Sequence, residues 1–390
     1  MILKGKHTNA VIFSETVESS ALDQIRNIIN QPFMDGIKVR IMPDVHAGAG
    51  ICVGYTATKN KFIVPNFIGV DIGCGVLAQH LKIKNIDFAA FDKYVREHIP
   101  HGMKNNANFN ISEIDCGVAY TGRSASEFTR DVKRVAEKLY TERGGADKAL
   151  CQLGSLGGGN HFIAINQDSE GDYWLTIHSG SRNFGLSVAN YHQKVAKAAD
   201  NFLISKKVSG MEYLAGDDAC RYLDDAYVAQ WFAEVNRYIM MNRLISFFGD
   251  PITVMSVQQV HTVHNYIDFK DGIVRKGAVA APKDELLLIP MSMKDGTLLC
   301  KGKGNEEWNF SAPHGAGRLM SRSKAKENLD LAEYERQMAE AGVWTSCVGK
   351  DTIDESPMAY KPPEEIKSAI GDTVNIIDHW KEIYNFKASE

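Results

Sequence analysis

The segment Ser311-Ala312-Pro313-His314-Gly315-Ala316-Gly317-Arg318 sets one imidazole among small residues and beside an arginine. A histidine can serve as metal ligand, general base or covalent nucleophile, and a guanidinium matches phosphate oxygens with a bidentate fork. The glycines let backbone close on a phosphate without a side chain in the way. At this level all three roles of His314 stay open. The segment gains weight from several similar clusters upstream of it.

Gly69-Val70-Asp71-Ile72-Gly73-Cys74-Gly75 holds a carboxylate and a thiol at a spacing that lets both reach one metal, and a thiolate can bridge two. Taken alone it reads equally as a tight turn with a buried cysteine. Leu156-Gly157-Gly158-Gly159-Asn160-His161-Phe162 passes from glycines, whose N–H groups can form an anion nest, into Asn-His and an apolar run. It lacks the Lys-Ser/Thr ending of a phosphate-binding P-loop. Ile177-His178-Ser179-Gly180-Ser181-Arg182 suggests a serine hydrolase, but Gly-x-Ser-x-Gly is absent from the chain. Gln259-Val260-His261-Thr262-Val263-His264-Asn265 has no zincin HExxH pattern, and His261 reads as a structural histidine. Jointly, Asp71, Cys74, His161, His178 and His264 make a metal centre beside a phosphate site, with His314 as a further imidazole. Imidazole with thiolate suggests zinc, iron or cobalt, and a carboxylate admits manganese.

These residues need a scaffold to bring them together. The 390 residues are 44% hydrophobic and 24% charged, those of a globular protein with a real core. The formal net charge of −4 excludes a globally basic nucleic-acid binder, so any nucleic acid must meet a local surface. Seven scattered cysteines without CxxC pairing point to a reducing compartment, and no signal-like or membrane-spanning run is present, so a cytoplasmic protein is expected. Helical periodicity predicts helices over Glu18–Ile29, Ser124–Tyr140, Asp217–Phe248 (two, or one bent), Ser323–Glu340 and Pro363–Tyr384. Short β-like runs cover Val39–Met42, Ile51–Thr56, Phe162–Ile165, Trp174–His178, Thr253–Gln258 and Leu286–Ile289, and the reactive residues lie at their ends. Strands and helices do not alternate regularly, so the expected fold is mixed α+β, one catalytic domain over 1–390 with a metal cleft at strand ends.

The chain resembles the RtcB-type RNA ligases, a GTP-dependent family that joins RNA 3′-phosphates to 5′-hydroxyls. The matching pieces occur in family order: Pro43-Asp44-Val45-His46, Gly69 to Gly75, Gly159-Asn160-His161-Phe162, His178-Ser179-Gly180-Ser181-Arg182, His264-Asn265-Tyr266 and His314-Gly315-Ala316-Gly317-Arg318. Lys276-Gly277-Ala278, Gly304-Asn305-Glu306-Glu307 and Ala359-Tyr360-Lys361 resemble further family landmarks.

The resemblance implies two Mn²⁺ ions bridged by Cys74, one completed by His178 and His264, the other by Asp71 and His161. It implies His314 as the nucleophile that takes GMP from GTP and passes it to an RNA 3′-phosphate. A 5′-hydroxyl then displaces GMP, and a 2′,3′-cyclic phosphate is first opened at the same centre. Asn160, His161, His264, Asn265, Pro290, Met291, Ser292, Met293, Thr297, Gly315, Ala316, Gly317 and Lys387 take the family's GTP-contacting positions, and Arg182 and Arg318 hold RNA or phosphate. The expected partners are tRNA halves or damaged RNA, met by a monomer. Three departures suggest a divergent branch, devoted to RNA damage repair rather than tRNA splicing. Ala164 stands where the family commonly has a guanine-contacting glutamate, the loop from Pro290 to Thr297 replaces Pro-Gly-Ser-Met-Gly, and the chain ends Lys387-Ala388-Ser389-Glu390 rather than Lys-Gly. The enzyme alternative is a metal-dependent RNA-end phosphoesterase without ligation, and the non-enzyme alternative an RNA-end-binding protein.

Overall fold

Seven strands lie side by side in the order Leu286–Pro290, Thr297–Gly302, Val374–Lys387, Phe162–Gln167, Tyr173–Ser179, Gly75–Leu81 and Met255–Val263. Each neighbouring pair is antiparallel. A second sheet runs Ile2–Lys4, Asn9–Ile12, Val39–His46, Val53–Thr58, Ile273–Lys276 and Asn265–Ile267, and a ribbon pairs Ala278–Ala280 with Ser311–Pro313. This computed structural model describes residues 1–119, 121–140, 144–199, 203–204 and 208–388; the expected chain ending at 389–390 lies outside them.

The fold is mixed α+β, as the irregular succession of strands and helices predicts. Helices Ser19–Ile29 and Ala125–Leu139 match their expected spans, the second closed by a capping box in which Ser124 and Glu127 satisfy each other's backbone. The segment expected as two helices or a bent one is a single helix, Gly216–Phe248, of 33 residues, about 50 Å long. Its Tyr222, Phe232, Val235 and Ile239 join the core beside the second sheet, and its Met240, Met241, Leu244 and Ile245 the core under the seven-stranded sheet. Burial on more than one face is why its sequence lacks a simple amphipathic stripe.

Three expectations are corrected. The helix expected over Pro363–Tyr384 ends at Ala369, and after Gly371 the chain turns into the 14-residue strand Val374–Lys387. Ser323–Glu340 is two helices, Arg322–Asn328 and Leu331–Ala341, because the Asp330 side chain accepts from Glu333 N and starts a new helix. The strand expected at Thr253–Gln258 is preceded by a helical turn, Pro251–Val254, and runs instead over Met255–Val263.

Candidate active site

Antiparallel pairing delivers the reactive residues to one end of the large sheet. Its neighbouring strands there are Phe162–Gln167, Tyr173–Ser179, Gly75–Leu81 and Met255–Val263. His161 precedes the first, His178 lies near the end of the second, Cys74 precedes the third and His264 follows the fourth. The register fixes this: Phe162 and Val76 both pair with His178, and Gly75 pairs with Val263. His264 N also donates to Cys74 O at 2.9 Å, and Asp71 enters from the turn before Cys74.

The ligand atoms converge. Cys74 Sγ lies 3.4 Å from His161 Nε2 and 3.3 Å from His178 Nε2. His178 Nε2 faces His264 Nε2 at 3.3 Å, and His161 Nε2 is 2.9 Å from Asp71 Oδ2. His178 Nδ1 donates to Asn160 O at 3.0 Å, so its Nε2 presents a lone pair to the centre. Burial lowers His178 and His264 well below the usual imidazole range, so both are neutral. Burial and the neighbouring Asp71 raise the Cys74 thiol well above its ordinary value. Burial works against ionised Asp71 too, yet the hydrogen bond and charge from His161 hold it at about 2. Lone pairs crowded at little over 3 Å, with a carboxylate and a thiol among them, fit a divalent cation that supplies the missing positive charge. Among the described residues, Cys74, His161 and His178 form a group able to hold a metal ion, with Asp71 and His264 in contact with it.

His314 follows the ribbon strand Ser311–Pro313, and its ring centroid is 4.9 Å from that of His264. Its Nδ1 donates to Asp44 Oδ2 at 2.6 Å, and its backbone N reaches the same oxygen at 3.1 Å. That partner fixes the tautomer and leaves Nε2 with a free lone pair. Gly317, at φ +76°, passes Asp44 so closely that a Cβ would stand 2.4 Å from Asp44 O. The motif's last glycine thus lets the His314 loop close on the aspartate.

A cavity of about 360 Å³ joins these groups. Asp71, Cys74, His178, His264 and His314 line it, with Asn160, Asn265, Pro290, Met291, Ser292, Met293, Gly315, Ala316, Gly317, Arg318 and Lys387 from the expected nucleotide and phosphate positions. His161 touches Cys74 but is outside the lining, and Thr297 is buried in its strand with Oγ1 unpaired. Asn265 is committed to backbone: its Nδ2 donates to Asp71 O and its Oδ1 accepts from Gly277 N. In the loop after Pro290, Ser292 Oγ donates to Asp295 Oδ2 at 2.5 Å. Arg182 also sits outside the lining, donating to Ser155 Oγ at 3.0 Å and Gly102 O at 2.6 Å.

Buried polar groups hold the ligand strands in place. Arg237, from the middle of the long helix, donates to Gly73 O at 2.8 Å and Ser179 O at 2.7 Å, the residues next to Cys74 and His178. His261 Nε2 accepts from the same guanidinium at 2.8 Å, which is the structural role expected for that histidine. Asn236 Nδ2 donates to Ser155 O and Gly180 O. A Cβ on Gly180 would stand 2.2 Å from the Asp71 carboxylate, so only glycine admits Asp71 there.

Sequence reasoning assigned no role to several residues in or beside the cavity. Asp44 and His46 were visible as a motif, but the His314 partner is 270 positions away. Burial brings His46 down to about 4, so it is neutral beside His314. Lys276 gives its Nζ to the carbonyls of Ala49, Ile51 and Asn66. Glu355 binds Arg318 at 3.2 Å, Arg322 at 2.6 Å and Lys387 at 3.0 Å, and accepts from Tyr360 Oη. No short-range signal marks Glu355, because its three cationic partners lie more than thirty residues away in the chain.

The arrangement is that of a metal-binding cleft with one further histidine, His314, in the same cavity. The family model described as tRNA-splicing ligase RtcB matches residues 24–388. The chain is 30% identical to the RNA-splicing ligase RtcB of Escherichia coli, over 93% of this chain and 92% of that protein. It is 25% identical to the tRNA-splicing ligase RtcB of Archaeoglobus fulgidus, over 91% of this chain and 88% of that one. The chain belongs to the RtcB family of RNA ligases.

Proposed function

We propose that this chain joins RNA 3′-phosphate or 2′,3′-cyclic phosphate ends to 5′-hydroxyl ends, using GTP and two Mn²⁺ ions, in RNA repair or tRNA splicing. The observation that carries the reading is His314, with Nδ1 bound to Asp44 and Nε2 free, in one cavity with Cys74, His178 and His264. Asp71, Cys74, His161, His178 and His264 would hold the ions. When bound, the ions supply positive charge at the phosphate oxygens.

His314 Nε2 attacks the α-phosphorus of GTP. The bond to the β-phosphate breaks and pyrophosphate leaves, while Asp44 keeps the proton on Nδ1 and stabilises the charge that develops on the ring. The guanylyl group passes to an RNA 3′-phosphate oxygen, breaking the P–N bond. A 5′-hydroxyl then attacks that RNA phosphorus, GMP leaves and the strand is sealed.

Incubation with α-labelled GTP and Mn²⁺, followed by a denaturing gel, tests the reading. Wild type carries covalent label and His314→Ala carries none. Equal labelling of both would remove His314 from the role, and RNA-end trimming without label on wild type would favour the phosphoesterase.

A further inference from the structure

The cavity wall built by the C-terminal strand carries a polar pair that the ligation steps leave without a task. Glu382 and Asn385 are both buried and both line the cavity. Asn385 Nδ2 donates to Glu382 Oε1 at 2.7 Å, and Asn385 Oδ1 is buried without a hydrogen-bond partner. An empty buried acceptor is destabilising, and a ligand donor that fills it recovers the loss.

The strand is shaped to present the two together. Simple alternation would send residues 382 and 385 to opposite faces. The register shifts between Glu382 and Tyr384, and this bulge sets Glu382 on the face shared by Asn385 and Lys387. Lys387 pairs with Phe162, which pairs with His178, so it is level with the metal ligands. Asn385 stands two residues back along the strand, paired with Ala164 and so further from the metal ligands. Its register partner Ala164 adds only a methyl group there, and Lys387 Nζ is already paired with Glu355.

We propose that Glu382 and Asn385 select the nucleotide base, accepting from the two adjacent donors of guanine, N1–H and the N2 amine, so that guanine specificity rests on the C-terminal strand. This inference rests on the nucleotidyl-transfer reading above. Adenine presents an acceptor, N1, where guanine presents a donor, and would set it against a lone pair. Hypoxanthine keeps N1–H but lacks the N2 amine. Burial raises Glu382 to about 8, against the pull of Lys387 and Asn385, so donors arriving from a ligand favour its ionised form. A site that hydrogen-bonds a ligand group discriminates strongly against an analogue lacking it.

Half-saturating concentrations for covalent labelling, measured with α-labelled GTP, ITP and ATP on the full chain with Mn²⁺, test the pair. Wild type is expected to need about tenfold or more ITP than GTP, and ATP more still. In Glu382→Gln and in Asn385→Ala the ITP-to-GTP ratio of half-saturating concentrations should fall to about threefold or less. Equal half-saturation of wild type by GTP and ITP overturns the inference without any variant. So does an unchanged ratio in folded variants. In both cases labelling by GTP leaves the ligase reading standing, whereas absence of wild-type label from every nucleotide removes both.

Discussion

His314 illustrates what a single residue type can and cannot reveal. Three roles were open to its imidazole in the sequence, and its hydrogen bond to Asp44 supplies what the sequence lacks, a defined tautomer. The Asp44 carboxylate is fully buried, and Oδ2 receives both the ring and the backbone N–H of His314. Asp44→Asn keeps the shape but offers an amide that can turn its NH₂ toward Nδ1, which favours the tautomer protonated on Nε2. Labelling of His314 by α-labelled GTP should slow about 10²-fold or more, while bound metal, read by elemental analysis, stays at the wild-type level. An unchanged labelling rate would show that the aspartate does not position His314. The aspartate was legible as part of a motif and illegible as a partner, since nothing in local spacing links it to His314.

At the scale of elements, the strand ends were readable because glycine, asparagine and aspartate punctuate short apolar runs, and the antiparallel order then gathers those ends. The C-terminal strand was not. Val374–Lys387 mixes charges with aromatic and β-branched residues, and its bulges between Ile376 and Asp378 and between Glu382 and Tyr384 break the alternation that marks a strand. Its Gly371 was the available signal for ending the helix. The long helix was legible as a helix, but its buried Arg237 was not legible as a clamp, because the carbonyls it holds are those of Gly73 and Ser179. Arg237→Met leaves both oxygens without their donor in the core. It should lower unfolding stability by about 3 kcal/mol or more, taking 1–3 kcal/mol per stranded buried group as the guide, and weaken metal binding as the Cys74 and His178 strands loosen. Chemical denaturation and metal titration check this, and a variant of wild-type stability would show that the helix needs no polar grip on the sheet.

Across the whole molecule, Glu355 ties together regions that are distant in sequence. It ends the 3-10 helix Lys350–Glu355, and its carboxylate meets Arg318 from the His314 loop, Arg322 from the following helix and Lys387 from the C-terminal strand. Burial alone would raise its pKa, but Lys387, Arg322 and Arg318 outweigh that and hold it at about 2, against an ordinary value of 4.5. A carboxyl depressed on folding contributes stability above its unfolded value and loses it as pH falls through the folded one. The shift corresponds to about 3 kcal/mol, present at neutral pH and lost between about pH 5 and 2. Glu355→Gln leaves three cations facing a neutral amide. It should be less stable than wild type at pH 7, and the gap should narrow as both are titrated through that window. Urea denaturation at a series of pH values reads the gap directly. A gap that stays constant from pH 7 to 3 would mean that the three cations hold Glu355 by shape and hydrogen bonding rather than through its charge.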